Sequence, residues 1–197
     1  MNTDSESVRA RLMLTREAVD RFADKRSEDL AKAAALVVDT YRSGGKVLIF
    51  GNGGSAAEAQ HIAAELVNRM LKDRDPLPAI ALTTDSSIMT SVANDYDYEE
   101  IFTKQVKALG RPGDLAWGLS TSGGSKNVIR AMKAAGEIGM KRLGMAGKSG
   151  APIGEVSDLC VWVDADSTPV IQEVHLAAAH IICEIVEREL FGEASDG

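Results

Sequence analysis

The 197-residue chain has only two cysteines, no apolar run long enough to cross a membrane and no basic segment at its start. Cys160 and Cys183 both stand in apolar surroundings, so we expect reduced core residues rather than a disulfide. No apolar run approaches the ~20 residues of a membrane span, and the first six residues are acidic and polar where a signal peptide would be basic and then apolar. The sequence therefore predicts a cytoplasmic protein without a membrane segment.

Clustered positive charge is also missing. The chain carries 29 acidic and 22 basic residues, a net charge of −7, whereas affinity for a phosphate backbone is built from clustered Lys and Arg. This balance argues against a nucleic-acid partner. Any phosphate bound by this protein is expected to be held by backbone amides and hydroxyls.

What the chain does have is a regular alternation of short apolar runs and amphipathic segments. It predicts an α/β fold: a single-domain, doubly wound, five-stranded parallel sheet in flavodoxin-like order, with helices on both faces. We expect this domain to span residues 45–192 and a disordered tail to span 193–197. The predicted strands are 46–50, 78–83, 115–119, 141–146 and 159–163.

Residues 1–44 are predicted to form an N-terminal helical arm that belongs to the same domain. Its apolar residues recur at helical spacing, and we expect two helices with a break near residues 25–27. The arm is long for a lid on its own domain, so it either packs against a second copy of the chain or forms a plain flanking layer.

A glycine turn follows the first predicted strand. Asn52-Gly53-Gly54-Ser55 suits a tight turn, and Ser55 is a plausible cap for a helix that runs to about residue 71. A strand, a glycine turn and a helix N-terminus can bind an anion. The turn also fits the dinucleotide pattern G-x-G-x-x-A, but Asp85 lies well beyond the ~20-residue spacing of a ribose-binding acid, so that alternative is not favoured.

A second loop follows the third strand. Its residues 120–125 combine four hydroxyls, two glycines and a helix N-terminus, which together can surround a phosphomonoester. We expect phosphate binding here. The hydroxyls belong to Ser120, Thr121, Ser122 and Ser125.

Two helices carry polar residues that suit a metal or proton transfer. His61 and Glu65 are spaced i, i+4 on one face of the helix after the glycine turn. Gln172 and His180 lie two turns apart in the apolar last helix, where each needs a partner. These four side chains would make a mixed N/O site compatible with zinc. We expect His175, near Gln172, to have a structural or supporting role.

Together these motifs resemble the sugar isomerase (SIS) domain family, and within it the sedoheptulose 7-phosphate isomerases, over nearly the whole chain. The resemblance implies a homotetramer with active sites between subunits and one zinc ion per subunit. It also implies conversion of D-sedoheptulose 7-phosphate to D-glycero-D-manno-heptose 7-phosphate through an enediol(ate), the first step of bacterial heptose biosynthesis toward surface glycans such as lipopolysaccharide.

The resemblance assigns roles to individual residues. Glu65 and His180 are the implied acid/base pair, and the same two residues, with His61 and Gln172, are the implied zinc ligands. A non-catalytic relative that binds the replication initiator DnaA, or a sensor of phosphosugars, is the alternative. The implied substrate-binding residues are Asn52, Gly53, Gly54, Glu65, Asn94, Asp95, Ser120, Thr121, Ser122, Ser125 and Gln172.

Overall fold

A parallel sheet of five strands organises the computed structural model, which describes residues 5–148 and 151–192. The strand order is β2-β1-β3-β4-β5, which confirms the predicted flavodoxin-like arrangement. The predicted tail, 193–197, lies outside the described residues. The strands are β1 Val47–Gly51, β2 Ala79–Ala81, β3 Leu115–Ser120, β4 Lys141–Ala146 and β5 Leu159–Trp162.

Helices cover both faces of the sheet, because successive strand residues point to opposite sides. Val47 and Ile49 of β1 pack with the helices of one face, α1, α2 and α7, and Leu48 and Phe50 pack with those of the other. The helices are α1 Ser5–Arg42, α2 Gly54–Val67, α3 Ser86–Asp95, α4 Ile101–Leu109, α5 Lys126–Ile138, α6 Pro152–Glu155 and α7 Thr168–Phe191, with a 3-10 turn at Tyr98–Glu100.

Helix α1 is continuous, so the predicted break near residues 25–27 is wrong. The polar cluster there supports the helix instead of ending it. Ser27 donates its hydroxyl to the carbonyl of Ala23, four residues earlier, and Arg26 pairs with Asp29 at 3.3 Å across one turn. No glycine or proline interrupts the segment, and side chains three or four residues apart stabilise a helix.

The two halves of α1 differ in burial. Ala33, Ala34 and Val37 in the second half are fully buried against α7 and the sheet. In the first half, Val8 and Leu12 are 53% and 62% exposed. The second half is thus a flanking layer, while the start of the first half leaves more than half of two apolar side chains exposed.

A buried ion pair ends α2 at Val67, four residues before the predicted end. The Glu187 carboxylate on α7 accepts hydrogen bonds from the amides of Met70, Leu71 and Lys72. Because those amides bond to a side chain, they cannot continue the helical ladder. Glu187 also pairs with Arg74 at 3.1 Å, and the two side chains are 5% and 2% exposed.

Arg74 completes the junction from the other side. Its guanidinium donates to the carbonyls of Glu65 and Leu66 at 2.9 and 2.8 Å, which are among the acceptors that a helix end leaves open. The pair therefore fixes the end of α2 against α7.

Helix α7 is the one helix of the described chain that could cross a membrane by length and composition, but half of its most apolar window is buried inside the protein. A core helix meets the same two criteria.

Cys160 and Cys183 are free thiols, half-buried and buried respectively.

Candidate active site

The ends of β1 and β3 bring the two glycine loops together. The strands are direct neighbours, with Gly51 paired to Leu119, and the chain leaves them toward opposite faces of the sheet. This is the switch point at which open α/β sheets bind ligands. The sequence-predicted anion and phosphate loops thus lie side by side.

The turn after β1 differs from the prediction at Ser55, which was expected to cap α2. Gly53 is the N-cap of α2, with a φ of 56°, and no side chain caps the helix. Ser55 lies inside the first turn, only 3% exposed, and packs so closely that a Cβ at Gly51 would be 2.8 Å from its own Cβ. It is therefore a packing residue instead of a cap.

The loop after β3 brings its three serine hydroxyls together. Ser120 Oγ lies 2.9 Å from Ser125 Oγ and 3.4 Å from Ser122 Oγ. Gly123 has a φ of 66°, and a Cβ there would lie 2.1 Å from that of Ala151, so only glycine fits. The Ser125 side chain does not cap α5, and a helix N-terminus can bind an anion.

The carbonyl of Thr121 faces the end of β4, where it accepts a hydrogen bond from the amide of Gly147 at 3.0 Å.

The exposed end of α3 carries the predicted sugar contacts Asn94 and Asp95. The Asn94 side-chain amide donates a hydrogen bond to Asp95 Oδ1 at 2.8 Å. Their segment continues into the 3-10 turn, whose Tyr98 reaches the glycine turn.

The sequence reasoning missed Asn127, and it assigned no role to Tyr98. Asn127 is 3% exposed on the first turn of α5 and exchanges two hydrogen bonds of 2.8 Å with Asn52. The Tyr98 hydroxyl donates to Asn52 Oδ1 at 3.2 Å. A polar residue just after the serine loop was the available signal for Asn127, but its burial was not readable from the sequence.

Helices α2 and α7 bring three predicted site residues into contact. His61 Nε2 lies 2.7 Å from His180 Nε2 and 3.3 Å from a carboxylate oxygen of Glu65. One donor atom from each of the three residues lies within 4.8 Å of the others. Two imidazole nitrogens and a carboxylate oxygen are a common donor set of catalytic zinc sites, so the residues present fit a metal of this class.

Gln172 lies two turns before His180, against the start of α2. A Cβ at Gly54 would be 2.1 Å from Gln172 Nε2, so the amide packs directly on the glycine backbone. Gly54 and His61 both belong to α2. The two predicted ligands on α7, Gln172 and His180, therefore both contact α2.

His175 lies at a different position, against the end of β4. It is 1% exposed, and its Nε2 donates to the carbonyl of Ala146 at the end of β4, at 3.1 Å. Its Nδ1 has no hydrogen-bond partner among the described residues. Burial lowers the pKa of His175 to about 4, although the bond to Ala146 opposes the shift, so the imidazole is neutral at pH 7.

Glu58 is a second buried titratable group, one turn before His61. It is 7% exposed, and neither of its carboxylate oxygens has a hydrogen-bond partner of normal geometry in the described chain. Burial raises its pKa to about 7, and nearby Ser55 offsets part of that shift. An unpaired carboxylate in such a place costs free energy unless it is protonated.

Comparison with known proteins agrees with this geometry. The model of the SIS domain family matches residues 14–147. The chain is 54% identical to a phosphoheptose isomerase of Roseiflexus sp. over 88% of both chains. It belongs to the SIS domain family, among its phosphoheptose isomerases.

Other members of the SIS domain family are similar over nearly their whole length. A phosphoheptose isomerase of Synechocystis sp. is 49% identical, covering 91% of this chain and 98% of its own. The solved structure of a phosphoheptose isomerase from Neisseria gonorrhoeae superimposes with a TM-score of 0.89 at 40% identity, over 94% of this chain and 99% of that one. The SIS domain fold of this chain is thus shown by sequence and by structure.

Proposed function

We propose that this protein interconverts D-sedoheptulose 7-phosphate and D-glycero-D-manno-heptose 7-phosphate, as the first step of bacterial heptose biosynthesis, in the cytoplasm. The observation that carries the proposal is the meeting of His61, Glu65 and His180 on helices that pack beside the neighbouring ends of β1 and β3. Relatives named phosphoheptose isomerase, at 44–54% identity, support it. The non-catalytic alternative is not favoured, because the chain keeps both Glu65 and His180.

The proposed reaction moves one proton between adjacent carbons. Glu65 takes a proton from C1 of the ketose, and the C2 carbonyl oxygen becomes an enediolate oxygen. His180 transfers a proton from the C1 hydroxyl to that oxygen, and Glu65 returns its proton to C2, which leaves an aldehyde at C1. The serine loop would hold the 7-phosphate.

A zinc ion, when bound, would polarise the substrate carbonyl and stabilise the charge of the enediolate. Its proposed ligands are His61, Glu65, Gln172 and His180, whose nitrogen and oxygen donors fit that ion. The role of this chain's own residues is to hold those donors on two packed helices.

The test is to incubate the protein with sedoheptulose 7-phosphate, with and without added zinc, and to measure the aldose. We expect turnover and about one zinc per chain by elemental analysis. A wild-type protein no faster than the Glu65→Gln, His180→Gln double variant would contradict the isomerase proposal. A protein that binds no zinc under non-chelating conditions, even after its addition, would contradict the ligand set.

The proposal includes a homotetramer with active sites between subunits. Val8, Leu12 and Val19 lie on one side of α1 at spacings of four and seven residues, as in helices that pack on a partner helix. We expect sedimentation velocity to give a tetramer of the 21.0 kDa chain. A species that stays monomeric at micromolar concentration would contradict this assembly.

A further inference from the structure

The orientation of the Asn52–Asn127 pair is fixed by a backbone amide. Val128 N–H can only donate, and it donates to Asn127 Oδ1 at 2.9 Å. The oxygen and nitrogen of Asn127 are thereby distinguished. Asn127 Nδ2 donates to Asn52 Oδ1, and Asn52 Nδ2 donates back to Asn127 Oδ1, both at 2.8 Å.

This arrangement consumes most of the hydrogen-bonding capacity of Asn52. Its Oδ1 has two lone pairs, and they accept from Asn127 and from the Tyr98 hydroxyl. Of its two N–H groups, one is given to Asn127. The second N–H has no partner among residues 5–148 and 151–192, so Asn52 can offer a ligand a donor and no acceptor.

The position of Asn52 places the remaining N–H donor between the two loops of the candidate site. The residue follows β1 directly and is the first residue of the glycine turn that leads into α2. Asn127 lies in the first turn of α5, the helix that follows the serine loop. The amide pair therefore bridges the two loops at the sheet's switch point, between the proposed phosphate site and the helix that carries His61.

We propose that Asn127 and Tyr98 are positioning residues that hold Asn52 as a hydrogen-bond donor to an oxygen of the sugar. The inference rests on the proposed function, since it concerns the same substrate. A donor held in place before the substrate arrives needs no reorganisation, which is the condition under which such groups assist catalysis. Tyr98 also ties the segment after α3 to the same amide.

A kinetic cycle tests whether Asn127 acts through Asn52. Asn52→Ala and Asn127→Ala are each expected to lower kcat/KM by about tenfold, the scale of one hydrogen bond. The double variant is expected to be no slower than Asn52→Ala, because Asn127 has nothing left to position. Losses that multiply in the double variant would overturn the inference, since a merely structural role of Asn127 would be additive.

Tyr98→Phe provides a conservative second variant, which removes only a hydroxyl. We expect a loss of roughly twofold to fivefold in kcat/KM, smaller than that of Asn127→Ala because the amide pair survives. The matched control is Tyr96→Phe, because Tyr96 is also exposed and contacts Lys104 through its ring. Equal kinetics for Tyr98→Phe and Tyr96→Phe would overturn the role of the Tyr98 hydroxyl.

A measurement independent of turnover separates this inference from the proposed function. In protein labelled with 15N-asparagine, adding sedoheptulose 7-phosphate should shift the side-chain amide resonances of Asn52. Asn127→Asp, which cannot donate to Asn52 Oδ1, should reduce that shift. If the wild type binds the sugar phosphate without isomerising it, the shift still supports the inference while the proposed function fails. An active wild type whose Asn52 amide does not respond overturns the inference alone.

Discussion

Glu65→Gln is expected to lower kcat by about 10²- to 10⁴-fold, the usual contribution of a general base. The glutamine keeps an oxygen that can bind a metal, but it cannot accept a proton. Because glutamine has nearly the same size and shape as glutamate, the change at Glu65, 3.3 Å from His61 Nε2, should leave the local packing almost unaltered. The variant therefore separates proton transfer from metal binding at one residue.

The measurement pairs steady-state kinetics at saturating substrate with binding of Co²⁺, followed by its visible absorption. We expect the variant to keep a cobalt spectrum while losing turnover. Glu184→Gln is the matched control, because Glu184 is exposed on α7 and should leave both readouts unchanged. If Glu65→Gln retains wild-type kcat, Glu65 is not the base.

Glu187→Ala is expected to lower the free energy of unfolding by about 3–5 kcal/mol, because breaking a buried ion pair leaves an unpaired charge behind. Arg74 would lose its partner, and the amides of Met70, Leu71 and Lys72 would lose their acceptor. Urea denaturation at a fixed protein concentration measures the change. Glu189→Ala is the control, since its contact with Arg42 is exposed and such pairs contribute little.

The difference between wild type and Glu187→Ala should shrink in acid. Burial alone would raise the pKa of Glu187, but the three amides and Arg74 together lower it below the usual value of 4.5. A depressed carboxyl pKa stabilises the fold above the unfolded-state pKa, and this contribution disappears as pH falls through the folded-state pKa. A difference that stays constant well below pH 4.5 would show that the charge of Glu187 is unimportant.

The sheet was predictable because its signals are local. The run 141–146 matched β4 at both ends, and the start of α5 at Lys126 followed from the serine loop before it. Buried parallel strands read as short apolar runs between turns. The strand order then followed from the alternation of strands and helices.

Features that depend on distant partners were not predictable. The end of α2 is set by Glu187, which lies about 120 positions later in the chain. Ser55 looked like a cap, but tertiary packing places it inside the helix. The polar run at residues 25–27 is a different case, because the contacts that keep it helical are local and lie within one turn, although its composition predicted a break.

The candidate site shows the same contrast between local signals and contacts of distant residues. His61 and Glu65 could be paired from their i, i+4 spacing, and His180 was found because histidine is unusual in an apolar helix. The partnership of Asn52 with Asn127 spans 75 residues. It became visible only when the ends of β1 and β3 were placed side by side.

Folding changes the protonation of Glu58 and of His175 in opposite directions, because their pKa values shift in opposite directions. Glu58 has a pKa of about 7 in the fold, against an ordinary value of 4.5, so folding takes up a proton between these limits. Its contribution to stability is lost as pH rises through about 7. His175, at about 4 against 6.5, releases a proton on folding, and its contribution is lost as pH falls through about 4. Where the two ranges overlap, the proton taken up by the acid offsets the one released by the imidazole. These two residues therefore buffer the stability of the fold in mildly acidic solution, one opposing the other.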